Sequence, residues 1–379
     1  MRHRFEHLLT LVCFLTLVLS PWIAGALGVR ASAERENRRF EPAPELAVAD
    51  ALDSGQFAAI EAFVTDRLPL RQQSAAMING ALYAVWGESP VENAFVDREG
   101  RWTLSEDYLD GCVGAFRPVE LSARLDAWED ASGGTVDIVL VVAPDKSSIR
   151  NGDLPVRSRL ADNCQVQRER ELTQAFGAGD DLLDLWTPLR ARQQSGESGL
   201  YFVNDSHWTG VGAISLAASV IDSFEPGLFD PSAIVPADAA TVTGDVTARL
   251  GWQRDEVIDR LVSARPGVET DLEIEPTPSG QGVRTYVSAA TGAQALVPGT
   301  TVVVHDSMGN YAEGMLAPYF EQVQFVNWND LAAGEFLPLA STADRIVFQT
   351  VQRALVARTS DPLLAPGFDD AMRVAVAPG

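Results

Sequence analysis

Residues 135–144, TVDIVLVVAP, constrain the fold more than any other stretch, because they form a nearly unbroken run of β-branched and aliphatic residues. A strand with one wet face alternates apolar and polar residues. A run without alternation reads as a strand buried on both faces, as in parallel sheets covered by helices. A helical stretch, VELSARLDAWEDASGG, precedes the run, and the alternation of strand and helix continues beyond it. A helix over roughly 157–177 leads to a short strand in DDLLDLW (180–186), and YFVNDSHWT (201–209) leads into GVGAISLAASVIDSF, whose small residues suit close packing on a sheet. TTVVVHDSMGN (300–310) and EQVQFVNW (321–328) read as strands, and DRIVFQTVQRAL (344–355) as a strand turning helical. This alternation predicts an α/β fold, a mainly parallel sheet with helices on both faces. In such sheets sites form at the carboxyl ends of strands.

The N-terminus sets the expected compartment. After Arg2 and Arg4 the chain is apolar from Leu8 to about Gly28, long enough to span a bilayer as a helix, and the leading arginines favour a cytoplasmic start with the rest exported. ASA at 31–33 resembles a cleavage site, so secretion is the alternative, but the length of the run favours an uncleaved anchor. The expected organisation is therefore a membrane segment over 1–30, a polar, Pro-rich linker over 31–55, and an exported domain over 56–379 in which 226–298 is a possible insertion. Within it, apolar spacing predicts a helix after residue 56 that breaks at Pro69, and AFVDREGRWTLSED predicts a hairpin turning at Glu99-Gly100. In an oxidising compartment Cys112 and Cys164 are a candidate disulfide; Cys13 lies in the apolar run. The formal charge of −23 excludes a nucleic-acid partner, which needs clustered Lys and Arg.

Of four histidines, His3 and His7 belong to the leader, which leaves His207 in NDSHW and His305 in VHDSMGN for acid–base work near neutral pH. Three readings of these motifs are open. In a nucleophilic triad Ser307, on the turn after a buried strand, attacks; His207 is its general base and Asp205 orients the imidazole. In a metal site Asp205, His207, His305 and Asp306 supply ligands, although adjacent strand residues such as His305 and Asp306 point to opposite faces. In a structural reading His207 and Trp208 are core and Asp205 caps the helix that follows.

Six segments in order, ENRRF, VTDRLPLR, VVAPDKSSIR, YFVNDSHWTGVGA, TGDVTARLG and VVVHDSMGNYAEGMLAPYFEQVQFVNW, resemble the alginate O-acetyltransferase family, exported relatives of the SGNH hydrolases; the resemblance runs from about residue 36 to about 350. It implies an SGNH-like α/β fold with the Asp-His block ahead of the Ser block and Asp205, His207 and Ser307 in the catalytic positions; neither a cofactor nor a metal is expected. It also implies transfer of acetyl groups onto a polysaccharide acceptor, with a multi-pass membrane acyltransferase as donor. The family's serine motif is usually Gly-Asp-Ser; here His305 replaces the glycine, where it narrows the pocket or touches substrate. Candidate oxyanion donors are the N–H groups of Ser307 and Met308, the Asn310 side chain and the Gly244 N–H. Lys146, at a strand's carboxyl end, either meets a sugar or solvates a loop. An acetyl esterase shares this chemistry with water as acceptor, and a non-catalytic glycan-binding scaffold is the alternative outside catalysis.

Overall fold

A computed structural model describes residues 2–29, 42–44, 54–109, 114, 116–149, 162–176, 181–278, 280–332 and 334–378. The chain forms two compact units, one of Met1–Ala94 with Thr243–Arg254, the other of Phe95–Val242 with Asp255–Gly379.

The first unit is helical. The apolar leader forms the helix Arg2–Ala26, and Leu8, Leu11, Phe14 and Trp22 are exposed along it. Among the described residues no helix is long and apolar enough to cross a membrane, which gives the expected anchor no support. Most of the linker expected over 31–55 lies outside the described residues. The helices Ser54–Asp66 and Arg71–Trp86 flank the expected break at Pro69, where Leu70 takes a left-handed conformation (φ 65°). The returning segment 243–254 docks on the second of these: Trp252 Nε1 donates to the Ala76 carbonyl at 3.1 Å, and Asn79 Nδ2 to that of Leu250 at 3.0 Å.

The second unit is built on a sheet. A small hairpin, β1 (Ala94–Val96) and β2 (Trp102–Leu104), opens it, turning over Asp97–Arg101 as the sequence predicts. The other strands are β3 (Asp137–Ala143), β4 (Leu182–Leu183), β5 (Ile234–Thr243), β6 (Asp255–Ser263), β7 (Val268–Glu275), β8 (Val283–Ala290), β9 (Val297–His305), β10 (Phe320–Asn327) and β11 (Arg345–Val351). Seven of them form one sheet in the order β4-β3-β11-β9-β10-β8-β7; the first five are mutually parallel, and β8 and β7 add antiparallel strands at one edge. β3, β11 and the last five residues of β9 are buried almost throughout, the consequence of their unalternating aliphatic sequences. The helices Pro118–Ala131 and Gly210–Phe224 pack Trp128, Leu125, Leu216 and Ile221 against this core.

The ambiguous stretch 226–298 is not one piece. β5 and β6 pair as a separate two-stranded ribbon, whereas β7 and β8 extend the main sheet. Cys164, in the helix Asp162–Ala175, is disulfide-bonded; its expected partner Cys112 lies outside the described residues.

Candidate active site

The Asp-His block sits in a tight loop ahead of the helix Gly210–Phe224. Antiparallel backbone bonds close the loop, from Thr209 N–H to the Leu200 carbonyl (3.0 Å) and from Phe202 N–H to that of His207 (3.2 Å). The Thr209 side chain caps the helix by accepting from Val211 N–H. The capping role that the structural reading gave Asp205 is thus filled by another residue. Gly212 allows the first helical turn to touch the loop: a Cβ there would come within 2.7 Å of the Trp208 Cβ and closer still to the Leu200 carbonyl.

The Ser block follows β9, the strand flanked by β11 and β10, so Ser307 emerges at a parallel strand's carboxyl end. Asp306 anchors this turn from below. Its Oδ1 accepts from Met308 N–H (2.9 Å), its Oδ2 accepts from Val351 N–H (2.7 Å) and pairs with Arg358, and its own N–H donates to Gln349 Oε1 (3.0 Å). Burial works to raise the Asp306 pKa, but Arg358 and these hydrogen bonds outweigh it and hold the carboxyl below its ordinary value. Trp208 Nε1 donates to the Met308 carbonyl at 2.9 Å, tying the two blocks together.

Asp205, His207 and Ser307 meet between these loops. His207 Nδ1 lies 2.6 Å from Asp205 Oδ1, which also accepts the His207 backbone N–H at 2.8 Å. A carboxylate can only accept, so the Nδ1 proton is fixed there and Nε2 presents its lone pair. That lone pair faces Ser307 Oγ at 2.7 Å. Asp205 is buried while Ser307 is exposed, so the hydrogen-bonded chain runs from a dry carboxylate to an accessible hydroxyl.

Other candidates are placed differently from expectation. Lys146 is not at the surface to meet a sugar or solvate a loop: it is buried, and its three Nζ hydrogens are shared among the carbonyls of Phe202 (2.7 Å), Asp205 (2.9 Å), Val203 (3.2 Å) and Trp102. A strand-end lysine among small polar residues reads from sequence as solvated, but the loop's inward carbonyls need a donor. Gly244 donates its N–H to the Arg254 carbonyl (3.0 Å), so that N–H is spent. Met308 N–H is likewise spent on Asp306. The Ser307 N–H and the Asn310 amide make no hydrogen bond among the described residues, so of the candidate donors these two are uncommitted. His305 is fully buried; its Nδ1 lies 2.8 Å from the Asp306 carbonyl and its Nε2 3.1 Å from Arg284. With His305 and Asp306 committed to these partners, the four-residue metal set is not assembled.

Sequence reasoning missed the supporting ring. Glu256 on β6 accepts the Val203 and Asn204 N–H groups at 2.9 and 2.6 Å. Arg353 pairs with Asp145 and lies 3.4 Å from Ser206 Oγ. Burial pushes the Asp145 carboxyl up to about 6 even with Arg353 beside it. The separations of these residues in sequence gave no local signal.

In front of Ser307 opens a cavity of about 600 Å³, walled by Arg284, Tyr286, Asn310, Tyr311 and Glu313 and by residues of β5 and β6. It has room for a sugar ring.

No protein-family model matches the sequence, and no curated protein matches it. Among solved structures, the chain is similar to a DHHW family protein from Eubacterium siraeum, at 12% identity over 77% of this chain and 98% of that one, with a TM-score of 0.49. It is similar to the O-acetyltransferase domain of Pseudomonas putida AlgJ, at 14% identity over 75% of this chain and 99% of that one, with a TM-score of 0.46. It is also similar to Bacillus cereus PatB1 carrying a sulfonyl adduct, at 10% identity over 69% of this chain and 94% of that one, with a TM-score of 0.44. At such identities each is a likeness of fold.

Proposed function

We propose that the protein is a serine-dependent O-acetyltransferase that moves acetyl groups onto hydroxyls of an extracytoplasmic glycan. The observation that carries this is the hydrogen-bonded chain Asp205–His207–Ser307, with links of 2.6 and 2.7 Å. Acetyl as the acyl group, a polysaccharide as acceptor and a multi-pass membrane acyltransferase as supplier come from the sequence resemblance.

In the first half-reaction Ser307 Oγ attacks the carbonyl carbon of the acetyl donor and its proton passes to His207 Nε2. The developing oxyanion is held by the Ser307 N–H and the Asn310 amide. Collapse breaks the bond to the donor's leaving oxygen, which takes the proton from Nε2, and leaves acetyl-Ser307. In the second half-reaction a glycan hydroxyl attacks this ester and gives its proton to Nε2. Collapse returns the proton to Ser307 Oγ and releases the acetylated sugar. Asp205 keeps Nδ1 protonated and stabilises the imidazolium in both halves.

One feature favours esterase action as a second reading: Ser307 is exposed, so water can reach the acetyl-enzyme. The two are separated by incubating the full chain with p-nitrophenyl acetate and oligosaccharides and counting acetyl groups on sugar against free acetate. Transfer in excess of hydrolysis supports the proposal; acetate alone, at every acceptor concentration, supports the esterase. Neither product from folded protein overturns both.

A further inference from the structure

One wall of the cavity carries a charged cluster for which the triad chemistry has no use. Arg284 on β8 donates from Nε to Glu313 Oε2 (2.8 Å) and from NH2 to Glu313 Oε1, and its NH1 donates to the Gln281 carbonyl at 3.2 Å. The second NH2 hydrogen goes to His305. Because His305 Nδ1 faces a carbonyl, that nitrogen carries the ring proton, and the bare Nε2 accepts from Arg284 at 3.1 Å. Burial keeps this imidazole neutral by holding its pKa below the ordinary value. Tyr286 lies two residues along the same strand face, and burial, with the Glu313 charge nearby, pushes its pKa up to about 12, so its hydroxyl keeps its proton.

Four of the five guanidinium N–H groups are therefore committed, and one on NH1 is left to a molecule in the cavity. The charge is already matched. A carboxylate arriving here finds the fork occupied by Glu313 and meets that residue's own negative charge. A hydroxyl or ring oxygen needs only the single donor. Arg260, which also lines the cavity, is exposed to solvent and correspondingly screened.

We propose that Arg284 is a specificity-determining residue whose remaining N–H binds an uncharged oxygen of the acceptor sugar, beside the hydroxyl that Ser307 acetylates, so that a neutral glycan is selected over a uronate. His305 is the positioning residue behind it, which gives the replacement of the family's glycine a purpose. The inference rests on the acetyl-transfer reading.

The test uses the full chain with p-nitrophenyl acetate as donor and gluco-, manno- and galacturono-oligosaccharides as acceptors, with product counted by mass spectrometry. Wild type is expected to show a lower KM for a neutral acceptor than for oligogalacturonate. Arg284→Gln should raise the neutral-acceptor KM about tenfold, the scale of one lost charge-assisted hydrogen bond. Its effect on the rate of acetyl-Ser307 formation should be smaller than that. The double variant Arg284→Gln with Glu313→Gln leaves no orphaned carboxylate and should show the same KM change if the single variant folds poorly. Arg284→Lys should recover part of the loss. An unchanged acceptor KM in a folded variant, a wild-type preference for the uronate, or acetyl-Ser307 that no oligosaccharide discharges overturns the assignment. Failure of Ser307 to become acetylated, a step that needs no acceptor, overturns the acetyl-transfer reading instead.

Discussion

At the scale of single residues, the proposed chemistry depends on three side chains that act as a unit. Ser307→Ala, His207→Gln and Asp205→Asn should each lower kcat for acetyl-ester cleavage by about 10³-fold or more, and the double variant Ser307→Ala with His207→Gln should be little worse than either alone. Steady-state kinetics on the set checks this; losses that multiply would mean that the residues work independently. Asp306 makes a separate prediction, on stability. Its folded-state pKa is held down, so its contribution is present above the ordinary carboxylate value of about 3.9 and is lost as pH falls through the lowered one. Asp306→Asn should cost about 3–5 kcal/mol near neutrality by stranding Arg358, with the gap to wild type closing in acid. Urea titrations at several pH values measure it, and a gap that widens in acid would show the sign to be wrong.

At the scale of elements, the site is two loops held in place by their neighbours. The carbonyls of the loop before the helix Gly210–Phe224 converge on Lys146, so Lys146→Met should cost about 3 kcal/mol or more by leaving them unpaired, and should cost activity as the loop relaxes. Gly212→Ala should act from the other side, by about 1–3 kcal/mol, because a methyl group drives into the Trp208 Cβ and the Leu200 backbone. Thermal melts with parallel assays check both; a Gly212→Ala protein as stable and active as wild type would refute the close approach. These supports mark the limit of what the sequence reveals. Strands β3, β9 and β11 are legible because burial on both faces leaves an unalternating aliphatic run, and Asp205, His207 and Ser307 because acid–base chemistry has so few histidines to choose from. Lys146, Glu256 and Arg353 are not legible, since a long-range hydrogen bond leaves no periodicity in the chain. Gly244 and the Met308 N–H were credible as donors until the structure showed each already donating.

At the scale of the whole molecule, the same contrast holds between pattern and tertiary choice. Alternating strand and helix announced the parallel sheet, but 226–298 mixes short apolar and polar runs, and only pairing decides that β7 and β8 join the sheet while β5 and β6 stand apart. The disulfide at Cys164 should stabilise the fold by about 2–4 kcal/mol, so Cys164→Ser should lower the melting temperature, and reductant should lower that of wild type alone. The high negative charge leaves the Arg284 wall as a local feature against an acidic whole, consistent with recognition by placed hydrogen bonds and not by a general field. Covalent mass tests directly whether Ser307 is the nucleophile. The full chain is mixed with p-nitrophenyl acetate, quenched within the first turnovers, weighed intact and digested to locate any added group. One acetyl group, mapped to Ser307, is expected in wild type and none in Ser307→Ala. Acetylation at another residue, or equal labelling of both proteins, would contradict it.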